Sequence, residues 1–188
     1  MYRRIKRMID FVFAFILLHA TFSFLLLLTL FLFIVYRSNP FFCQKRIGKN
    51  EKIFTLLKFK TMQNEQVLGQ IGVFLRRTNL DELPQLIHIV LGQMSFVGPR
   101  PLLPEYLMLF SPEQKKRHSV LPGLTGLVQV SGGNALSWQK RFELDLEYIE
   151  KKSFKLDFII LIKTFLLFFK PSEEPLFSEK FGSNDDNS

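Results

Sequence analysis

FVFAFILLHATFSFLLLLTLFLFIVY, Phe11 to Tyr36, contains no charged side chain. Coiled as an α-helix at about 1.5 Å per residue it would reach roughly 39 Å, against a bilayer hydrocarbon core of about 30 Å. The stretch is long enough to enter or cross a membrane. A secretory leader has an apolar core of only about 7 to 15 residues and then a small-residue cleavage site. Arg37-Ser38-Asn39-Pro40 offers no such site, so the segment is expected to persist.

Cations flank the run on both sides: Arg3, Arg4, Lys6 and Arg7 before it, Arg37, Lys45, Arg46 and Lys49 after it. Positive flanks favour the cytoplasm, here at both ends. A re-entrant helix-break-helix satisfies both, and a single tilted bitopic span is the plain alternative; the segment's own physics leaves them even. His19, Thr21 and Ser23 lie near the midpoint. Hydroxyls bonding back to carbonyls one turn earlier can bend a helix there, although no Pro or Gly breaks it.

The whole chain of 188 residues accommodates one domain plus a membrane element. Its net charge of +8 asks for an anionic partner, and 22 Phe weigh toward a protein that shares its surface with membrane lipid. Nucleic acid is the poorest fit, because the cations lack the aromatic interleaving of a base-stacking platform. Cys43, the single cysteine, excludes an internal disulfide and fits a reducing cytosol.

Three regions follow: a membrane-embedded helix over residues 1–38, a catalytic domain over 39–170 and a polar tail over 171–188. The fold class expected is a mixed, helix-rich α/β. Strands are expected over Phe41 to Arg46 and Ile53 to Thr61 around a Gly48-Lys49-Asn50 turn, and a short helix over Gly72 to Arg77. Pro84 suits the first residue of a helix that Gly92 stops, with Leu86, Ile87, Ile89 and Val90 as its buried stripe. Pro122 to Gly126 reads as a turn before a strand at Leu127 to Val130, and Ser137 as the cap of a helix running to Lys151. Leu156 to Phe169 suits an interfacial helix or, equally, a core helix. From Pro171 the chain has little to bury and is expected to be disordered.

The chemistry concentrates in Asn79 to Arg100, NLDELPQLIHIVLGQMSFVGPR. Adjacent helical residues point about 100° apart, so Asp81 and Glu82 cannot act on one face and different roles are natural. A carboxylate at a helix N-terminus is held as the anion, and an ionised Asp can attack phosphorus to give an acyl phosphate, while its neighbour holds Mg²⁺. Helix capping competes and weighs more on its own, since Thr78 with Asp81 and Asn79 with Glu82 both have capping-box spacing. Arg100, fixed between Pro99 and Pro101, can present a bidentate phosphate donor and shifts the balance. Lys58, Lys60, Arg76 and Arg77 add cations that could neutralise a diphosphate, though most such side chains only solvate a surface. No P-loop, Gly-x-Gly-x-x-Gly, HExxH or cysteine cluster is present. His88 reads as a packed helix residue, and Lys115-Lys116-Arg117-His118 as a solvated or lipid-facing basic patch.

Six ordered motifs carry a resemblance: PFFCQKRIG (Pro40 to Gly48), KFKTM (Lys58 to Met62), LRRTNLDELPQL (Leu75 to Leu86), MSFVGPRPLLPEY (Met94 to Tyr106), PGLTGLVQVSGGN (Pro122 to Asn134) and WQKRFELD (Trp138 to Asp145). Over nearly its whole length the chain resembles the bacterial sugar transferases. Within them it is similar to the small monotopic phosphoglycosyl transferases, above all those that start lipid-linked glycans for protein N-glycosylation. The resemblance implies a re-entrant helix and a domain sunk into the cytoplasmic leaflet of the bacterial inner membrane. It also implies a two-step reaction. Asp81 would attack the β-phosphorus of a UDP-sugar, expel UMP and carry the sugar phosphate until a polyprenyl phosphate, undecaprenyl phosphate, collects it. Glu82, with Asp81 beside it, would bind Mg²⁺; Arg76, Arg100 and Lys58 would face the phosphates. It favours an acetamido sugar such as diacetylated bacillosamine, with N-acetylglucosamine, N-acetylgalactosamine and galactose open, and leaves the oligomeric state unread.

Three departures stand out. Ser23-Phe24 replaces the Ser-Pro of the family's membrane bend, the stretch between Met62 and Phe74 is shortened, and Asn39 and Cys43 replace a glycine and a basic residue. Two rivals follow: a non-catalytic, membrane-anchored basic protein binding anionic lipid or glycolipid, and an inactive assembly partner.

Overall fold

The computed structural model describes residues 1–63, 66–167 and 181. Helix α1 spans Tyr2–Tyr36 and ends where Arg37 turns left-handed at φ 49°. It is continuous where a break was expected. Thr21 does donate to the Leu17 carbonyl, at 2.7 Å, but without Pro or Gly the backbone ladder runs on.

Strands β1 (Phe41–Ile47) and β2 (Ile53–Phe59) form an antiparallel hairpin in which Phe42 pairs with Lys58. Its turn needs a left-handed residue, which Asn50 supplies at φ 53°. A two-residue pair, β3 (Met62–Gln63) and β4 (Gln66–Val67), leads into α2 (Gly69–Arg77). A 3-10 turn over Leu80–Gln85 then runs into α3 (Leu86–Val90), and Gly92 at φ +79° stops it as expected.

Beyond it, β5 (Ser95–Val97) and β6 (Gly123–Thr125) pair in parallel, with α4 (Pro112–Lys115) between them in sequence. Gly98 and Gly123 permit this approach, since a Cβ at Gly123 would overlap the backbone of Gly98. The expected strand at Leu127 to Val130 is corrected: those residues form the helical turn α5 (Leu127–Val130), and the preceding Gly-Leu-Thr is the strand. Val128 and Val130 suit a strand, but it is Gly123–Thr125 that pairs with β5.

Helix α6 (Trp138–Lys151) is capped as read, Ser137 Oγ accepting from the Lys140 amide, and α7 (Phe154–Leu167) follows. In α7 Asp157 and Ile160 are buried while Phe158, Ile162, Phe165 and Leu166 are exposed, which favours the interfacial reading over a core helix. The expected disorder of 171–188 falls outside the described residues apart from Phe181. Its ring packs among Tyr106, Phe110, Trp138 and Phe142.

One stripe of α1 is laid along the domain. Ala14 and Leu18 pack with Phe54, Leu86 and Ile89, while Leu25, Leu28, Leu32 and Tyr36 pack with Phe59, Leu75 and Ile71. Polar ties secure the first turns: Lys6 Nζ lies 2.9 Å from Asp157, Tyr2 donates to the same carboxylate at 2.7 Å, and Ser95 donates to Asp10 at 2.7 Å. Around the rest of its surface the helix exposes Phe11, Phe13, Phe15, Phe22, Phe31 and Phe33.

Candidate active site

The 3-10 turn carries the acidic pair, and it begins at Asn79, left-handed at φ 52°, with no side-chain capping bond. The Thr78 hydroxyl donates backward, to the Phe74 carbonyl at 2.8 Å. The capping boxes that the spacing allowed are therefore absent, and the carboxylates are committed elsewhere. Asp81 is buried, only 5% exposed, and its Oδ2 lies 3.9 Å from Lys58 Nζ on β2. Glu82, half-buried, accepts from Arg100 Nη2 at 3.1 Å. The neighbouring carboxylates thus face different cations on different elements, as residues about 120° apart on a 3-10 helix must.

Arg76, on the last turn of α2, lies with Nη1 2.6 Å from Met62 Sδ and acts on Asp81 through its charge, as Arg100 does. The five residues that the resemblance assigns to the site, Lys58, Arg76, Asp81, Glu82 and Arg100, are brought together. A sixth was missed: Arg46 on β1, whose guanidinium is buried deeply enough to lower its pKa to about 10, and which feels the charges of Arg100 and Glu82. It stood inside PFFCQKRIG but read as one more positive flank of the membrane segment.

The electrostatics are under strain. Burial, and then the charge of Glu82, push the Asp81 carboxyl up to about 6, against the pull of Lys58, Arg76 and Arg100. Burial likewise lowers the pKa of Lys58, against the charge of Asp81. Lys58, Arg76, Arg100 and Arg46 gather about Asp81 and Glu82, a cationic setting that suits an anion such as a diphosphate diester. A cavity of about 670 Å³ between Tyr36 and the start of α2 is lined by apolar and amide side chains such as Val67, Ile71 and Gln70, and so is not the diphosphate site.

Two readings of histidine and arginine separate here. His88 is a packed helix residue as expected: its Nε2 accepts from the Leu57 amide at 3.0 Å. The basic patch at 115–118 is corrected in part, because Arg117 and His118 are buried, and Arg117 donates to Asp145 Oδ2 at 2.7 Å. Asp145 lies on the stripe of α6 that buries Trp138, Phe142 and Tyr148. A carboxylate on an apolar stripe needs a cation, and that was the available signal for Arg117.

Among the described residues no three His, Cys, Asp or Glu side chains gather to hold a metal. The donor set nevertheless fits Mg²⁺, which takes one or two carboxylates and completes its shell with substrate phosphate and water.

A buried carboxylate in a basket of cations, beside a helix that exposes phenylalanines, defines a membrane-associated group-transfer enzyme. The chain belongs to the bacterial sugar transferase family, whose model matches residues 1–171, and is a phosphoglycosyl transferase. It is 42% identical over 172 residues to EpsL, an uncharacterized sugar transferase of Bacillus subtilis, covering 85% of either chain. Over 155 residues it is 34% identical to the UDP-glucose:undecaprenyl-phosphate glucose-1-phosphate transferase of Xanthomonas campestris pv. campestris, covering 69% of this chain and 32% of that one. Over 167 residues it is 33% identical to the UDP-galactose-lipid carrier transferase of Erwinia amylovora, covering 73% and 35%. The chain thus spans most of the first relative but about a third of the other two.

Proposed function

We propose that the enzyme moves a sugar 1-phosphate from a UDP-sugar to undecaprenyl phosphate and releases UMP, through a covalent intermediate on Asp81. The burial of Asp81 among cations carries this reading: a desolvated carboxylate with a raised pKa is a stronger nucleophile than a hydrated one. In the first step an Asp81 oxygen bonds to the β-phosphorus and the bond from that phosphorus to the bridging oxygen breaks, so UMP leaves with the electron pair. In the second, a phosphate oxygen of the acceptor attacks the same phosphorus and the carboxylate is returned. Lys58, Arg76 and Arg100 neutralise the equatorial oxygens through both steps.

Glu82, with Asp81 beside it, would hold Mg²⁺, which when bound supplies charge neutralisation at the diphosphate. The cytoplasmic face of the inner membrane is supported by positive flanks on both sides of α1. The donor sugar we favour is an acetamido sugar of the diacetylated bacillosamine kind. The relatives from Xanthomonas campestris and Erwinia amylovora described above are named for glucose and galactose.

The test is UMP release from purified protein in nanodiscs given undecaprenyl phosphate and, in turn, UDP-linked diacetylated bacillosamine, N-acetylglucosamine, glucose and galactose. One donor should give turnover that Asp81→Asn abolishes. Absence of UMP with every donor would leave the chain a lipid-binding basic protein or an inactive assembly partner.

A further inference from the structure

Arg100 is presented by the segment Gly98 to Leu102, and two prolines do not by themselves place it. They fix φ at Pro99 and Pro101 and bias the residues before them toward extended backbone, but they leave the segment's position against the rest of the fold open. Its carbonyls settle that position. The Pro99 carbonyl accepts from the Gly123 amide at 2.9 Å and the Leu102 carbonyl from the Ile47 amide at 2.9 Å. The two between them accept from arginines: Arg100 O from Arg117 Nη2 at 2.9 Å, and Pro101 O from Arg46 Nη1 at 3.2 Å.

Both arginines are themselves held. Arg117 donates through Nε and Nη2 to Asp145 Oδ2, at 3.0 and 2.7 Å, and its guanidinium lies 5.9 Å from the Phe110 ring centre and 5.7 Å from that of Phe142. Arg46 donates from Nη2 to Gln44 Oε1 at 2.6 Å. A buried ion pair such as Arg117 with Asp145 adds little net stability, because desolvation cancels much of the attraction. Its use must lie elsewhere, and among the described residues the one group outside the pair that Arg117 grips by hydrogen bond is the carbonyl of Arg100 itself.

We propose that Arg117, clamped by Asp145, and Arg46 are positioning residues whose guanidinium groups hold the carbonyls of Arg100 and Pro101, and so aim the Arg100 side chain at the diphosphate of the donor. The proposal rests on Arg100 being the diphosphate grip.

UDP, which carries the diphosphate but no sugar to transfer, is the probe, titrated calorimetrically into the full-length protein in nanodiscs. The paired variant Arg117→Met/Asp145→Leu removes both charges without leaving either unpaired, so its thermal midpoint should stay near the wild-type value. Its affinity for UDP should fall about tenfold, the scale of one hydrogen bond to a charged group. Arg117→Lys keeps a cation opposite Asp145 but loses the planar fork that reaches carboxylate and carbonyl together, and should weaken UDP about threefold. It decides the matter should the paired variant not fold. Neither change should weaken UDP further in an Arg100→Ala background, because both act through Arg100. A folded variant that binds UDP as tightly as wild type, or whose loss adds in full to that of Arg100→Ala, overturns the positioning role alone. Unchanged UDP affinity in Arg100→Ala would instead overturn the grip, and the positioning role with it.

Discussion

Asp81 carries two consequences of one burial. Its pKa of about 6 means that the anion is depleted below that pH, so on the proposed mechanism formation of the intermediate should fall about tenfold per pH unit below 6 and level off above it. A single-turnover pH profile measures this, and a flat profile from pH 5 to 8 would contradict it. Folded Asp81 also holds its proton more tightly than in the unfolded chain, at about 6 against 3.8, so its contribution to stability falls as pH rises through that window. Asp81→Asn should therefore raise the thermal midpoint at pH 7.5, by up to roughly 3 kcal/mol of stability, while abolishing turnover. A lower midpoint would mean that the pair with Lys58 outweighs the desolvation. Arg100→Ala should cost roughly 1.5 to 3 kcal/mol in donor affinity, read as a raised donor KM. At this scale the grouping, though not the roles, was legible through the resemblance: Lys58, Arg76, Asp81, Glu82 and Arg100 stand in its motifs, and the structure brings them together. Arg46 and Arg117 were not, because a lysine-rich or arginine-rich run looks the same whether it is solvated or turned inward, and only the fold pairs Arg117 with Asp145 across 28 positions.

Elements were legible where punctuation is local. Ser137, Gly92 and the Gly48 turn mark their boundaries in the chain itself, and the structure puts them there. The parallel pair β5 and β6 was not, because what decides it is the close approach of Gly98 and Gly123, residues far apart in sequence. That approach predicts a sharp penalty. Gly123→Ala would drive a Cβ into the backbone of Gly98, at the start of the segment that presents Arg100. It should cost more than about 3 kcal/mol and lower the thermal midpoint accordingly. A midpoint within 2 °C of wild type, on the scale of roughly 2 to 4 °C per kcal/mol, would show that the strands can part cheaply.

For the whole molecule the decisive fact is that both ends of α1 rest on one domain. Residues 19–24 are the only part of it between the two packed clusters, roughly 9 Å of helix, where a crossing takes about 20 residues. The sequence left re-entrant and bitopic paths even because flanking charge reads only the ends; the unbroken helix lacks the bend of the re-entrant path, while its packing on one domain leaves little free helix for a bitopic crossing. In a Cys43→Ser background, Arg3→Cys and Ser38→Cys should react with a membrane-impermeant maleimide from the same face of sealed vesicles, and labelling from opposite faces would restore the bitopic span. On the function proposed above, a buried carboxylate at the membrane surface would stand between a water-soluble donor and a lipid acceptor, and a covalent intermediate would let one site serve both in turn. Intact-protein and peptide mass spectrometry after mixing the enzyme with its donor alone tests that most directly. The account predicts a sugar phosphate bonded to Asp81 that disappears on adding undecaprenyl phosphate. Full turnover with no adduct at Asp81 under trapping conditions would contradict it.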